Sequence, residues 1–404
     1  MNRSETKIPC VVLGLGVNGL GVVRSLARRG LEVVGAYSEP RELGRYSRYC
    51  RPVRFSPLGD DEGRFLSQLC ELGGKLTQAV LFATNDRYVE FVSEHREKLS
   101  EYFLIRMADK ELVHKLNSKN GIRELALERG VKIPQTRQVL SSADVDHIKE
   151  NFSFPLIVKP RVTFNNVYFR QKKNMIVDAP RQLEKMYDAV PGLFHNAMIQ
   201  EVVRGGDDYI VMVSLYFNAH SQVVASSTVR KVRQYPPDYG IACFLKTEPL
   251  PKIRDIAVPF LEKLRFQGII LLEFAECRAT GEYYLLEANL RSCYVNQLFT
   301  DCGVDFNYIA YCDIVSPSSL AGINFNQKDD MYWLDLIRDF ASFRRKYRTG
   351  VLKFLPWMLS LFRVRSCATF AFDDPMPFLV SMFRFLRQGM GYPSNWIKKT
   401  IKKG

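Results

Sequence analysis

Glu273, Glu287, Asn289 and Arg291 are the residues of this chain whose types and spacing promise chemistry. Glu273 lies inside the apolar run 268–275, and a Thr280-Gly281-Glu282 turn leads back into the run 283–290. Two such runs around a short turn read as an antiparallel hairpin. Residues two apart on a strand share a face, so Glu287, Asn289 and Arg291 project together, and Glu273 meets them across the hairpin. Carboxylates set among Ile, Leu and Phe need a compensating cation. Two carboxylates and an amide oxygen are hard donors suited to Mg2+, an ion usually shared with substrate phosphates. Lysines on other strands would hold those phosphates. Lys159 ends the apolar strand Phe154-Pro155-Leu156-Ile157-Val158-Lys159-Pro160, and a buried strand with a terminal ammonium implies an anionic partner. Val229-Arg230-Lys231-Val232-Arg233 reads as a further strand with basic residues alternating on one face.

The elements that position these residues fill two or three domains, as 404 residues imply. The chain opens with a strand at 9–13, the glycine-rich turn 14–21, a helix over 22–29 stopped by Gly30, and a strand at 31–36. Gly14, Gly16 and Gly19 match the dinucleotide fingerprint, in which a phosphate approaches a helix N-terminus. That fingerprint also needs an acid at the end of the second strand. Here the strand ends Ala36-Tyr37-Ser38, with Glu39 late, before Pro40. A helix–strand packing turn is the preferred reading, and NAD binding the alternative. The strand at 79–84 carries Asn85-Asp86 at its carboxyl end, placed to touch a substrate or to cap the next helix. Lys119 precedes a helix over 121–128. The apolar strand 197–203 is interrupted by Gln200 and Glu201 and followed by Gly205-Gly206-Asp207-Asp208.

Composition narrows the class. The chain is 47% hydrophobic and 25% charged, which excludes wholesale disorder and fibrous or disulfide-scaffold proteins. The net charge is +14, of which residues 331–404, with 14 basic and 4 acidic side chains, hold +10. A uniformly basic nucleic-acid binder would not concentrate its charge in this way, and no nucleic acid is expected. Nine scattered cysteines without a Cys-x-x-Cys pair argue against a zinc site and for a reducing cytoplasm. The polar start Met1-Asn2-Arg3-Ser4-Glu5 is no signal peptide, and no run reaches the ~18–20 apolar residues of a membrane span.

In this order, on strands, Lys159, Glu273, Glu287, Asn289 and Arg291 resemble the ATP-grasp superfamily. The resemblance is nearest the carboxylate–amine ligases that resemble D-aspartate ligase, and it covers most of the chain. The Glu-x-Asn-x-Arg run after Glu273 is its specific part, and the segment 231–237, Lys-Val-Arg-Gln-Tyr-Pro-Pro, resembles a stretch common in this branch. The resemblance implies an α/β (α+β) chain with a Rossmann-like pre-ATP-grasp domain over 1–115. A small lobe at 116–198, a large lobe with the metal site at 199–325 and a basic helical appendage at 326–404 follow. It implies ATP and Mg2+, with Mn2+ able to substitute. Lys119 and Lys159 would contact the ATP phosphates. Gln200, Glu201, Val202 and Val203 would form the hinge strand, with Glu201 and the backbone near Val203 reading adenine. Asp208 would hold the ribose. Lys231 and Arg233 would face the phosphates or an acyl phosphate. Glu273, Glu287 and Asn289 would bind one or two Mg2+, and Arg291 would stabilise the transferring phosphoryl group or a substrate carboxylate. The loop after Lys159 departs from the family pattern, because 162–173 holds no glycine and includes Phe164, Tyr168 and Phe169.

The activity implied is ATP-dependent joining of a small-molecule carboxylate to an amine, with a homodimer as the expected assembly, on an amino acid, a peptide or a cell-envelope precursor. The rival readings are an ATP-binding scaffold without turnover and an NAD-dependent oxidoreductase. Residues 331–404 contain all three tryptophans and 15 aromatics, with basic residues among them. They read as short helices broken at Pro356 and around Asp373-Asp374-Pro375. Such a segment suits a helical cap on the body or an anionic membrane surface.

Overall fold

The computed structural model describes residues 7–160, 174–195, 197–203, 205, 207–237, 240–323 and 325–387. The first sheet contains β1 (Cys10–Leu13), β2 (Val33–Tyr37), β3 (Arg51–Arg54), β4 (Ala79–Ala83) and β5 (Phe103–Leu104), all parallel, in the order β3-β2-β1-β4-β5. β1 is a run of four apolar residues, all buried, as a parallel strand covered on both faces requires. The helices α1 (Val17–Ala27) and α2 (Asp86–Glu94) follow β1 and β4. Gly14 sits at φ +86°, and a Cβ on Gly19 would lie 2.0 Å from the Gly14 carbonyl oxygen. These glycines let α1 close onto β1.

The second sheet comes after α3 (Lys119–Glu128). It has the order β6-β9-β7-β8 with β6 (Thr136–Gln138), β7 (Leu156–Pro160), β8 (Met175–Val177) and β9 (Ala197–Glu201), and its pairs are antiparallel. Its core joins Val158 and Ile199 to Ile148, Leu183 and Phe194 from the covering helices.

The third sheet has seven strands in the order β14-β13-β10-β11-β12-β15-β16. They are β10 (Ile210–Phe217), β11 (Val223–Tyr235), β12 (Ile241–Thr247), β13 (Gly268–Glu276), β14 (Tyr283–Asn289), β15 (Tyr332–Leu334) and β16 (Val364–Cys367). Alternation gives it two apolar faces. Val213, Leu215 and Phe274 meet Ile253 and Phe260 of α4 (Pro251–Lys263). Met212, Val229 and Leu245 pack in one core with α1, α5 (Asn296–Asp301) and α6 (Phe306–Val315).

The C-terminal region is less purely helical than expected. Tyr332-Trp333-Leu334 is buried throughout and extends the large sheet as β15, and β16 joins it in parallel. Three helices complete it: α7 (Leu336–Arg348), α8 (Phe354–Leu361) and α9 (Met376–Arg387). Pro356 does not break α8. It lies in the first helical turn, where a missing N–H costs nothing. The expected break at Asp373-Asp374-Pro375 stands immediately before α9. Lys398, Lys399, Lys402, Lys403 and Trp396 lie outside the described residues.

Candidate active site

The hairpin expected from the sequence is present. β13 and β14 pair antiparallel with Glu273 directly opposite Glu287 and Leu271 opposite Asn289. Opposed residues share a face, and so do residues two apart. Glu273, Glu287 and Asn289 therefore stand on one face of the large sheet. Met212 continues the row into β10 and Val229 into β11. Lys231, two residues beyond Val229, reaches along this face and places Nζ 2.9 Å from Glu273 Oε1. Like charges directly opposed destabilise a sheet. The buried Lys231 ammonium offsets part of that repulsion, and the row has the donors for a further cation. Two carboxylates and an amide oxygen suit Mg2+, with water and phosphate oxygens completing the shell. Among the described residues no group of three or more His, Cys, Asp or Glu side chains gathers as a metal site, so the fit would depend on Asn289 and on the phosphates of a substrate.

Arg291 follows the hairpin. Its Nη2 donates to Asn289 Oδ1 at 2.9 Å, and its Nε donates to Asp86 Oδ1 at 2.7 Å. Asp86 is the first residue of α2, and Asn85 caps that helix by accepting from the Tyr88 amide. The Asn85-Asp86 pair thus does two jobs. One residue ends the turn, and the other ties the carboxyl end of β4 to the chain just after β14. Asn18 strengthens the same junction by donating to the carbonyls of Thr84 at 2.9 Å and Ser292 at 3.3 Å.

Arg233 does not join Lys231 on this face. The alternation expected along 229–233 would put it beside Lys231. Instead Lys231 is opposite Leu245 and Arg233 is opposite Phe244, with a register shift between them. An extra residue in one strand turns the next side chain to the other face. Arg233 is buried there, with Nε and Nη2 at 2.7 and 3.0 Å from the two oxygens of Asp339. Its guanidinium lies 3.9 Å from the Phe244 ring centroid, and Asp339 also accepts from Trp357 Nε1 at 2.8 Å. Arg233 holds α7 and α8 on the sheet and is not brought to the acid row. Arg230 also leaves that row, bonding Glu248 and Glu276. Burial opposes its charge, yet these two carboxylates more than compensate and hold its pKa above the ordinary arginine value.

On the small sheet, Lys159 Nζ donates to Gln200 Oε1 at 2.6 Å, and Gln200 Nε2 donates to Thr136 Oγ1 at 3.1 Å. Gln200 is opposite both Ile157 and Thr136, so the three polar groups share one face. Glu201 is opposite Leu156, and its carboxylate accepts from the Ser153 amide at 2.6 Å. Its side chain thus leaves the Lys159 face, while the half-buried residues Val202 and Val203 lead on. Lys119 opens α3 beside the capping Ser118. Asp207 is buried and accepts from Gln234 and Lys346, each at 2.6 Å, whereas Asp208 is exposed. The loop 162–173 lies outside the described residues.

Glu42 was not legible as a site residue. Its carboxylate accepts from the amides of Leu15, Ser38 and Glu39. An internal anion thereby occupies the place a phosphate would take at the glycine-rich turn. A second anion there would meet like charge, which counts against the NAD alternative. Glu42 sits in a loop five residues beyond β2, and no spacing rule marks it.

No family model matches the chain. The D-aspartate ligase of Enterococcus faecium is 27% identical over 307 residues, covering 72% of each chain. The solved L-amino acid ligase of Bacillus licheniformis superposes with a TM-score of 0.60 at 15% identity, over 81% of this chain and 79% of that one. Biotin carboxylase of Campylobacter jejuni, in its β-γ-ATP complex, gives 0.61 at 14% identity, over 79% and 74%. The chain has the ATP-grasp fold. In this fold the parallel sheet meets the large sheet at the Asp86–Arg291 and Asn18–Ser292 contacts, beside the acid row.

Proposed function

We propose that this ATP-grasp protein is an ATP- and Mg2+-dependent carboxylate–amine ligase. The observation that carries the reading is the row Glu273–Glu287–Asn289 with Lys231 lodged against it. It is a partly solvated set of oxygen donors with one ammonium already in place. Bound Mg2+, or Mn2+ in its stead, would offset phosphate charge at this row. Lys159 and Lys119 would hold phosphate oxygens, Asp208 the ribose, and Val202–Val203 the adenine edge. Arg291 would hold the substrate carboxylate or the phosphoryl group in flight. A carboxylate oxygen takes the γ-phosphoryl of ATP and releases ADP. The amine then attacks the acyl carbon, the C–O bond to phosphate breaks, and the amine proton passes to solvent. Preorganised charge is the main aid such a reaction needs, and no side-chain nucleophile takes part.

The proposed division of labour follows the boundaries 1–115, 116–198, 199–325 and 326–404. The resemblance to D-aspartate ligase makes an amino-acid carboxylate the first candidate, and D-aspartate the first to try. The reading extends to a cytoplasmic setting, a homodimer, and peripheral contact between 331–404 and an anionic membrane. No helix among the described residues is long and apolar enough to cross a membrane.

The test is ADP and phosphate release from MgATP with pooled carboxylates and pooled amines. The ligase reading expects release that needs one member of each pool and is lost in Glu287→Ala. ATP binding without release from any pool would favour a scaffold, the reading that the glycine-free segment 162–173 suggests.

A further inference from the structure

Two C-terminal helices turn apolar stripes to solvent. On α9 the exposed residues are Met376, Leu379, Phe383 and Leu386, spaced along a single helix face. On α8 and its end they are Phe354, Leu355, Leu359 and Phe362, the last 73% exposed. These faces are not spare core. The opposite side of each helix is already packed on α7. Trp357 stacks on Phe343 with centroids 4.2 Å apart, and Phe385 meets Phe340 edge-on at 6.2 Å. A soluble surface rarely leaves so many large apolar side chains outside.

Charge is sorted in the same region. All four carboxylates of 331–404 are engaged by arginines: Asp335 by Arg338, Asp339 by Arg233, Asp373 by Arg28 and Asp374 by Arg24. Lys353, Arg345, Arg348, Arg363, Arg365 and Arg387 are exposed. Beside α9, a groove of about 460 Å³ is lined by Tyr46, Leu379, Val380, Phe383, Arg384 and Arg387. It pairs an aliphatic wall with guanidinium groups, which matches an anionic headgroup and the start of its acyl chain. The pairs Arg24–Asp374 and Arg28–Asp373 fasten this segment to the N-terminal domain, so whatever seats α9 also seats the body.

We propose that the α8 and α9 stripes form a docking face for an anionic phospholipid bilayer. The stripes enter the headgroup–acyl boundary, and the surrounding basic residues meet lipid phosphates. This rests on the membrane part of the reading above and goes further by naming the surface. Co-sedimentation of the full chain with phosphatidylcholine vesicles, with and without phosphatidylglycerol, tests it. The expected result is binding that needs phosphatidylglycerol and weakens with salt. It should fall at least about tenfold in Leu379→Glu/Phe383→Glu and also fall in Lys353→Glu/Arg387→Glu. ADP release by both variants on water-soluble substrates, and their melting temperatures, should match wild type. Binding to neither vesicle, or binding untouched by Leu379→Glu/Phe383→Glu, overturns the proposal. So does self-association without vesicle binding, abolished by the same variant, which would give the face to a second copy of the chain. Vesicle binding that persists where no pool supports ADP release supports docking and counts against the ligase reading alone.

Discussion

Lys231 and Arg233 lie two residues apart on one strand and have opposite surroundings. Arg233 has a bidentate carboxylate, an aromatic ring beneath it and almost no solvent. Lys231 has one bond to a carboxylate that itself stands opposite a second, exposed carboxylate. The first arrangement is complete in itself, so it serves architecture. The second is electrostatically unfinished on its outer side, so it can accept ligands. Buried cations in one strand are told apart by what is left over once their partners are counted.

The sharpest way to break this contrast is at the acid row. Glu287→Ala should lower ligase turnover by about a hundredfold or more, the scale on which preorganised charge acts. Because Glu287 is exposed, its melting temperature should hardly move. A large loss of stability would show that the row is structural. Arg233→Ala should do the reverse. It strands the Asp339 carboxylate in the interior, a loss of about 3–5 kcal/mol, seen as a lower unfolding midpoint. Folded protein should keep its Km for ATP. If folded Arg233→Ala loses phosphoryl transfer selectively, the assignment of Arg233 to architecture is wrong.

Much of this contrast was legible in the sequence, and part of it was not. The 273–289 hairpin could be read because strand alternation fixes faces within a strand and a short turn fixes pairing. The bulge at Val232 could not, because it depends on the register of β12, which no local pattern in 229–233 encodes. Glu42 was hidden for a similar reason: its three amide donors converge only once β1 and β2 are paired. β15 was hidden because three apolar residues carry too little period to be told from a helical turn. The excess of C-terminal positive charge is plain in the sequence, but its sorting into paired acids and exposed bases depends on partners up to 350 residues away.

A smaller effect sharpens the comparison at the acid row itself. Lys231→Met leaves Glu273 and Glu287 opposed without an ammonium. The variant should need more Mg2+ for half-maximal rate, by roughly tenfold, the lower end of effects seen when a ligand's supporting partner is removed. An unchanged Mg2+ dependence would place the ion elsewhere. The smallest effect concerns the clamp. Arg28, with help from Tyr49, holds the Asp373 carboxyl at about 2. A depressed carboxyl pKa stabilises the fold above its unfolded value and ceases to do so as pH falls through the folded one. The difference in unfolding midpoint between wild type and Asp373→Asn should therefore be present near neutrality and shrink between about pH 4 and pH 2. A difference constant with pH would mean that the pair contributes only through packing.

Transfer of phosphate to a carboxylate at the acid row can be followed through a single oxygen atom. The carboxylate found in the pools is labelled with 18O in both oxygens and turned over with MgATP and the amine. The acyl phosphate route predicts one 18O in each inorganic phosphate released and one in each amide, with both products formed about a hundredfold or more slower by Glu287→Ala. Label in AMP, or unlabelled phosphate released alongside amide, would contradict it.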